Sequence, residues 1–138
     1  MKLVVDASVA AKWLLAEALS VKAVGLVQLE NELIVPELFW AEIGNILWKK
    51  ARTGELPDTE ALRRFDDLAS MGLRTVSNAV IARAAVGVAV AAGRTVYDSV
   101  YVALAMHEGC RFVTADERLV NALAGTPYAV HIVWLGAT

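Results

Sequence analysis

An α/β fold with a central, mostly parallel sheet is what this 138-residue chain predicts. Three observations carry that reading. The short runs Leu3–Val5, Leu33–Val35 and Arg111–Val113 have the length and apolar, β-branched content of buried strands. Longer segments with apolar residues at helical spacing lie between them, so crossovers join the strands, which indicates parallel pairing with helices on both faces. Gly54, Gly72, Gly93 and Gly109 follow those segments, where helix C-termini favour glycine.

In chain order, Leu3–Val5 is the first strand and stops abruptly on Asp6. Ser8 is the expected N-cap of a helix through Ala10, Ala11, Trp13 and Leu14. Val21, Val24, Leu26 and Val27 put a second helix over Ser20–Glu30. Leu33–Val35 is the second strand, closed by Pro36, a residue suited to a helix start; that helix runs from about Glu37 to Arg52. Leu62, Phe65 and Leu68 share one side of a helix from Asp58 or Thr59 to Ser70. Leu73–Val76 is a weak strand, so the sheet has five strands, or four without it. Asn78–Ala92 is a very apolar helix, and Thr95 caps another over Val96–His107. Arg111–Val113 is the next strand, Asp116–Leu123 a short helix and Val130–Val133 the last strand. No repeat, low-complexity tract or linker interrupts the chain, and residues 1–138 read as one domain.

Composition narrows the function classes. The single cysteine, Cys110, rules out an internal disulfide and suggests a reducing compartment. Asp6 interrupts the first apolar run too early for a secretory signal, and no apolar stretch approaches the roughly 20 residues of a membrane span. A cytoplasmic protein with no membrane partner is the expectation. A net charge of −2 argues against a general polyanion-coating protein, though not against a local basic groove. The hydrophobic fraction of 57% is high for this size, which indicates either an Ala/Val-rich core or an interface with a partner or a second copy.

Four carboxylates stand out by position. Asp6 ends the first strand, Glu42 lies in the second turn of the helix after the second strand, Asp98 lies in the first turn of Val96–His107, and Asp116 opens the helix after Arg111–Val113. A crossover helix runs antiparallel to the strands it joins. Helices that follow a strand therefore start at the strands' carboxyl edge, and so does the helix that feeds Arg111–Val113. All four acids fall on that edge, where open α/β sheets bind ligands. Converging acids repel, and an all-oxygen donor set without His or Cys favours Mg2+ or Mn2+ over zinc.

Each acid also has a purely structural explanation. Asp6 fits a turn after a strand. Thr95-x-x-Asp98 and Thr114-x-x-Glu117 fit loose capping boxes, and Asp116 fits a first-turn acid favoured by the helix dipole. Glu42 fits a solvated helix residue, but its helical neighbours Leu38, Phe39, Asn45 and Ile46 make a largely apolar surround. Lys12 and Arg94 lie near Asp6 and Asp98 and are candidate phosphate contacts, whereas Lys49, Lys50 and Arg52 read as surface charge. His107 and His131 lack ligand spacing. Trp13, Trp40 and Trp48 have core-like spacing, with a partner-binding role as the alternative for each and Trp13, Leu14 and Trp48 as candidates for an apolar partner groove; Asn78–Ala92 is either central to the domain or part of a dimer seam.

With these residues placed, the chain resembles the PIN-domain ribonucleases, in particular the VapC toxins of prokaryotic toxin–antitoxin pairs. The likeness spans essentially the whole length. It rests on Val4-Val5-Asp6-Ala7-Ser8, Ala41-Glu42-Ile43-Gly44-Asn45, Tyr97-Asp98-Ser99-Val100-Tyr101-Val102-Ala103-Leu104-Ala105 and Thr114-Ala115-Asp116-Glu117-Arg118-Leu119. It implies a PIN-like fold and a Mg2+- or Mn2+-dependent endoribonuclease whose metal is held by Asp6, Glu42, Asp98 and Asp116. It implies that Thr114 helps to hold the site, with Ser8 assisting. Beside it, Ser8, Lys12, Asn45 and Arg94 are the candidates for substrate contact. The resemblance also implies a homodimer and a small antitoxin bound across the active-site groove. A PIN-like module that binds RNA or protein without cutting is the alternative. A phosphatase-like phosphoryl-transfer domain fits less well, because Ser8 stands where Asp-x-Asp would need its second acid. A response-regulator receiver would need a late lysine, and none follows Lys50.

Overall fold

The computed structural model describes residues 1–138. Five strands, β1 (Lys2–Val5), β2 (Glu32–Pro36), β3 (Arg74–Val76), β4 (Arg111–Thr114) and β5 (Ile132–Trp134), pair in the order β3-β2-β1-β4-β5. Every pairing is parallel, including that of the weak third strand. Seven helices connect them: α1 (Ala7–Leu14), α2 (Ser20–Gln28), α3 (Leu38–Arg52), α4 (Asp58–Ala69), α5 (Asn78–Ala92), α6 (Val96–Glu108) and α7 (Glu117–Leu123). No single helix is long and apolar enough to cross a membrane.

The chain lays down the centre of the sheet first. From β1 it adds β2 and β3 on one side, then crosses back to add β4 and β5 on the other. The order therefore reverses between β1 and β4, and a crevice forms beyond their carboxyl ends. Val5 pairs with Val113, so Asp6 and Thr114 stand side by side at that crevice.

The buried helix is α6. Residues Ser99–Ala105 are all buried, and α6 packs on β1, β2 and β4 with α5 against it. The apolar α5 is not central: Ile81, Ala85 and Val88 face inward, while Val80, Val86 and Val90 are exposed. In α3 the inward stripe is Phe39, Ile43 and Leu47, one residue per turn. Trp48 is rotated about 100° from Leu47, so it departs from the core spacing expected of it and is 52% exposed. Its ring lies under the Arg52 guanidinium at 5.2 Å. Trp13 and Trp40 do pack on the core, each with its indole N–H donating, to the Ala23 carbonyl at 2.8 Å and the Thr75 hydroxyl at 3.0 Å.

Three local expectations change. The N-cap of α1 is Asp6, not Ser8: the Asp6 carboxylate accepts the Val9 amide at 3.1 Å, and Ser8 lies inside the first turn. Asp116 caps α7 in place of Thr114, because its carboxylate accepts from the Arg118 and Leu119 amides. The last strand begins at Ile132, since the His131 amide donates back to the Tyr128 carbonyl at 3.0 Å and winds Ala129–His131 into a 3-10 turn.

Candidate active site

Asp6, Glu42, Asp98 and Asp116 line one cavity of about 300 Å3 at the carboxyl edge of the sheet, together with Ser8, Asn45 and Tyr101. A larger cavity, about 720 Å3, opens at the opposite edge beside Lys2 and Arg111 and has no acidic side chain in its wall.

Each carboxylate is held differently. Asp6 is buried and accepts from three groups: the Ser8 hydroxyl at 2.5 Å and the Val9 amide on one oxygen, and the Thr114 hydroxyl at 2.6 Å on the other. Ser8 and Thr114 also serve the loop beyond β4, accepting the Ala115 and Asp116 amides at 3.1 and 3.0 Å. Thr114 is therefore a fully buried support, while Ser8 reaches the cavity wall. Asp116 is fixed through one oxygen by the two backbone amides at the start of α7. The Asp98 amide donates to the Thr95 hydroxyl at 3.1 Å, so Thr95 caps α6 as expected. The Asp98 carboxylate does not complete the box; one of its oxygens takes the Arg94 guanidinium at 3.2 Å. Glu42 accepts the Tyr101 hydroxyl on one oxygen. Glu42, Asp98 and Asp116 each keep a second oxygen with no protein donor.

Burial is the main influence on the two more enclosed acids. It pushes the Asp6 carboxyl up; hydrogen bonds from Ser8, Thr114 and Val9 act against that rise, and the Asp116 charge adds to it. It pushes Glu42 up as well, opposed by the Tyr101 hydrogen bond and reinforced by the charges of Asp6 and Asp98. The Tyr101 phenol is raised by burial and by Glu42 beside it, so it stays protonated and can only donate to that carboxylate.

The donor set suits a hard divalent cation in kind: all its ligand candidates are carboxylate oxygens, two of them destabilised by burial and by neighbouring negative charge. As the side chains stand, no three of these groups are close enough to hold one ion between them. The site thus offers free oxygens around a cavity rather than a finished coordination shell.

Among the remaining candidates, Asn45 lies on the cavity wall, one turn beyond Glu42 on α3. Lys12 and Arg94 do not line it; Lys12 is 3.4 Å from Glu17 and Arg94 is engaged by Asp98. Sequence reasoning passed over Tyr101 as a site residue. The signal was there: Tyr101 is three residues after Asp98 on one helix, so the two share a face, and it is a hydroxyl on an otherwise apolar stripe.

The PIN-domain family profile matches residues 3–123. Ribonuclease VapC3 of Pyrobaculum aerophilum is 39% identical over 123 residues, 88% of this chain and 94% of that protein. The crystal structure of PAE2754 from Pyrobaculum aerophilum superposes with a TM-score of 0.73 at 26% identity, covering 99% of this chain and 85% of that one. VapBC2 of Rickettsia felis, crystallised with a DNA fragment from its promoter, superposes at 0.67 over 97% of this chain and 98% of that one; at 11% identity the likeness is one of fold.

Proposed function

The chain belongs to the PIN-domain family, and from that premise we propose that it is a metal-dependent endoribonuclease, the toxin of a toxin–antitoxin pair. The observation that carries the proposal is the meeting of Asp6, Glu42, Asp98 and Asp116, from four separate elements, on one cavity at the β1/β4 crevice. The 39% identical relative, which is named a ribonuclease and aligns over nearly its whole length, supports RNA as the substrate.

In this reading the four acids would hold Mg2+ or Mn2+, Glu42, Asp98 and Asp116 through their free oxygens and Asp6 through a carboxylate that also accepts from Ser8, Val9 and Thr114. A divalent ion bound there would lower the pKa of a water molecule and stabilise negative charge developing on a backbone phosphate. The chain's own residues orient the acids: Ser8, Thr114 and the Val9 amide fix Asp6, and the start of α7 fixes Asp116. Ser8 and Asn45 contact RNA from the cavity wall, whereas Lys12 and Arg94 must leave Glu17 and Asp98 to reach a phosphate. Incubating the purified protein with structured RNA in manganese, and again in excess chelator, tests the proposal. The unfinished coordination shell favours a second reading, a PIN-like module that binds RNA or protein without cutting; manganese-dependent cleavage would reject it.

Two apolar surfaces support the proposed partners. Between α3 and α4 lies a cavity of about 290 Å3 lined by Leu47, Trp48, Leu62 and Phe65, with Trp48 and Leu62 largely exposed; it suits an apolar antitoxin segment running toward the active-site groove. The exposed valines of α5 suit a homodimer seam. We place this pair in the cytoplasm, where an RNA target is available.

A further inference from the structure

Of the four acids at the cavity, Glu42 and Asp98 each receive a single side-chain hydrogen bond, and only that of Glu42 comes from a buried donor. Asp6 and Asp116 accept backbone amides, and Asp98 is paired with Arg94. Glu42 receives one hydrogen bond, from the Tyr101 hydroxyl. That donor is rigidly placed. Tyr101 is 3% exposed, and its ring stacks on Phe112 of β4 with centroids 5.2 Å apart and planes 17° from parallel. The contact also crosses the site, joining α6 to α3 between residues 59 positions apart in the chain. A glutamate has one more rotatable bond than an aspartate, so a free Glu42 would spend its time among several rotamers.

We infer that Tyr101 is a positioning residue for Glu42. It holds Oε1 through a hydroxyl anchored on the β4 aromatic ring, and thereby presents Oε2 toward a divalent cation. The role is that of the outer partner that orients a metal-binding carboxylate. Its consequence for catalysis rests on the ribonuclease reading, but its effect on cation binding is measured without RNA.

The test is manganese titration of wild type, Tyr101→Phe, Glu42→Gln and the double variant, read by paramagnetic resonance of free Mn2+ and by the manganese-induced rise in melting temperature. Phenylalanine keeps the ring on Phe112, so the chelated variant should melt as a folded protein. Manganese affinity should fall about 10- to 100-fold in Tyr101→Phe. RNA cleavage by that variant should be recovered at high manganese, and Tyr101→Phe should cost nothing further in the Glu42→Gln background. Wild-type manganese affinity in Tyr101→Phe, an equal loss with and without Glu42, or a wild type that takes up no manganese would each overturn the assignment. A wild type that cuts no RNA, yet loses manganese affinity on Tyr101→Phe, would overturn the ribonuclease reading and leave Tyr101 in its role.

Discussion

The Thr114 hydroxyl donates to Asp6 Oδ2 at 2.6 Å, joining residues 108 positions apart at the point where the strand order reverses. The same hydroxyl oxygen accepts the Asp116 amide at 3.0 Å, so one buried group connects the first acid of the chain to the last of the four. Thr114→Val keeps the shape of the side chain and removes both contacts. It should destabilise the protein by about 1–3 kcal/mol, because a buried carboxylate loses a donor and a backbone amide loses its acceptor. Thr114→Ser should restore most of the loss. Urea denaturation of the three proteins in chelator measures it.

Thr95, not the Asp98 side chain, caps α6. Thr95→Ala should therefore cost about 0.5–2 kcal/mol in chelator. Asp98→Ala removes only a partly exposed ion pair with Arg94, a class of contact worth about 0–1 kcal/mol. The two variants should differ in the opposite sense in manganese: Thr95→Ala keeps the metal-induced rise in melting temperature, and Asp98→Ala loses most of it. Thermal melts in chelator and in manganese report both halves.

Asp6 and Glu42 have folded-state pKa values raised chiefly by burial, so between their unfolded and folded values the folded protein binds more protons than the unfolded one. Stability contributed by these groups then falls as pH rises through that window and is greatest on its acid side. The reference values are 3.8 for Asp6 and 4.5 for Glu42, so the window opens upward from there. In chelator, Asp6→Asn and Glu42→Gln should each gain stability relative to wild type as the pH is raised from mild acid to neutrality. Chemical denaturation across that range checks the sign.

Val86 and Val90 are exposed on the apolar outer face of α5, and neither contributes to the buried core. If that face is a dimer seam, Val90→Asp should yield a monomer that melts close to the wild-type temperature at low concentration. Light scattering on both proteins over a range of concentrations measures it; a wild type that is monomeric throughout would remove the seam.

The parallel sheet and the shared edge of the four acids were legible because both follow from the alternation of strand and crossover helix, which a single sequence displays. The N-cap of α1 was not. Asp6 and Ser8 are both good capping residues two positions apart, and what decides between them is tertiary: Ser8 is drawn to the Asp6 carboxylate and to the Ala115 amide of the neighbouring strand's loop. Of the two readings of Trp48, core and partner-facing, the core one fails for a related reason. Its helical spacing from Trp40 suggests burial only until Leu47 is recognised as the residue that continues the Phe39–Ile43 stripe. The start of β5 was set by a turn built from Thr126 to His131, which apolar patterning does not reveal.

Asp6→Asn tests the central claim most directly. Asparagine can still cap α1, and it removes a charge that burial already disfavours, so the variant should fold as well as wild type in chelator. Wild type should cleave RNA in manganese and stop in excess chelator, and Asp6→Asn in manganese should cut no faster than the chelated wild type. Cleavage that persists in chelator, or an Asp6→Asn protein that cuts at the wild-type rate, would contradict a metal-dependent nuclease built on these carboxylates.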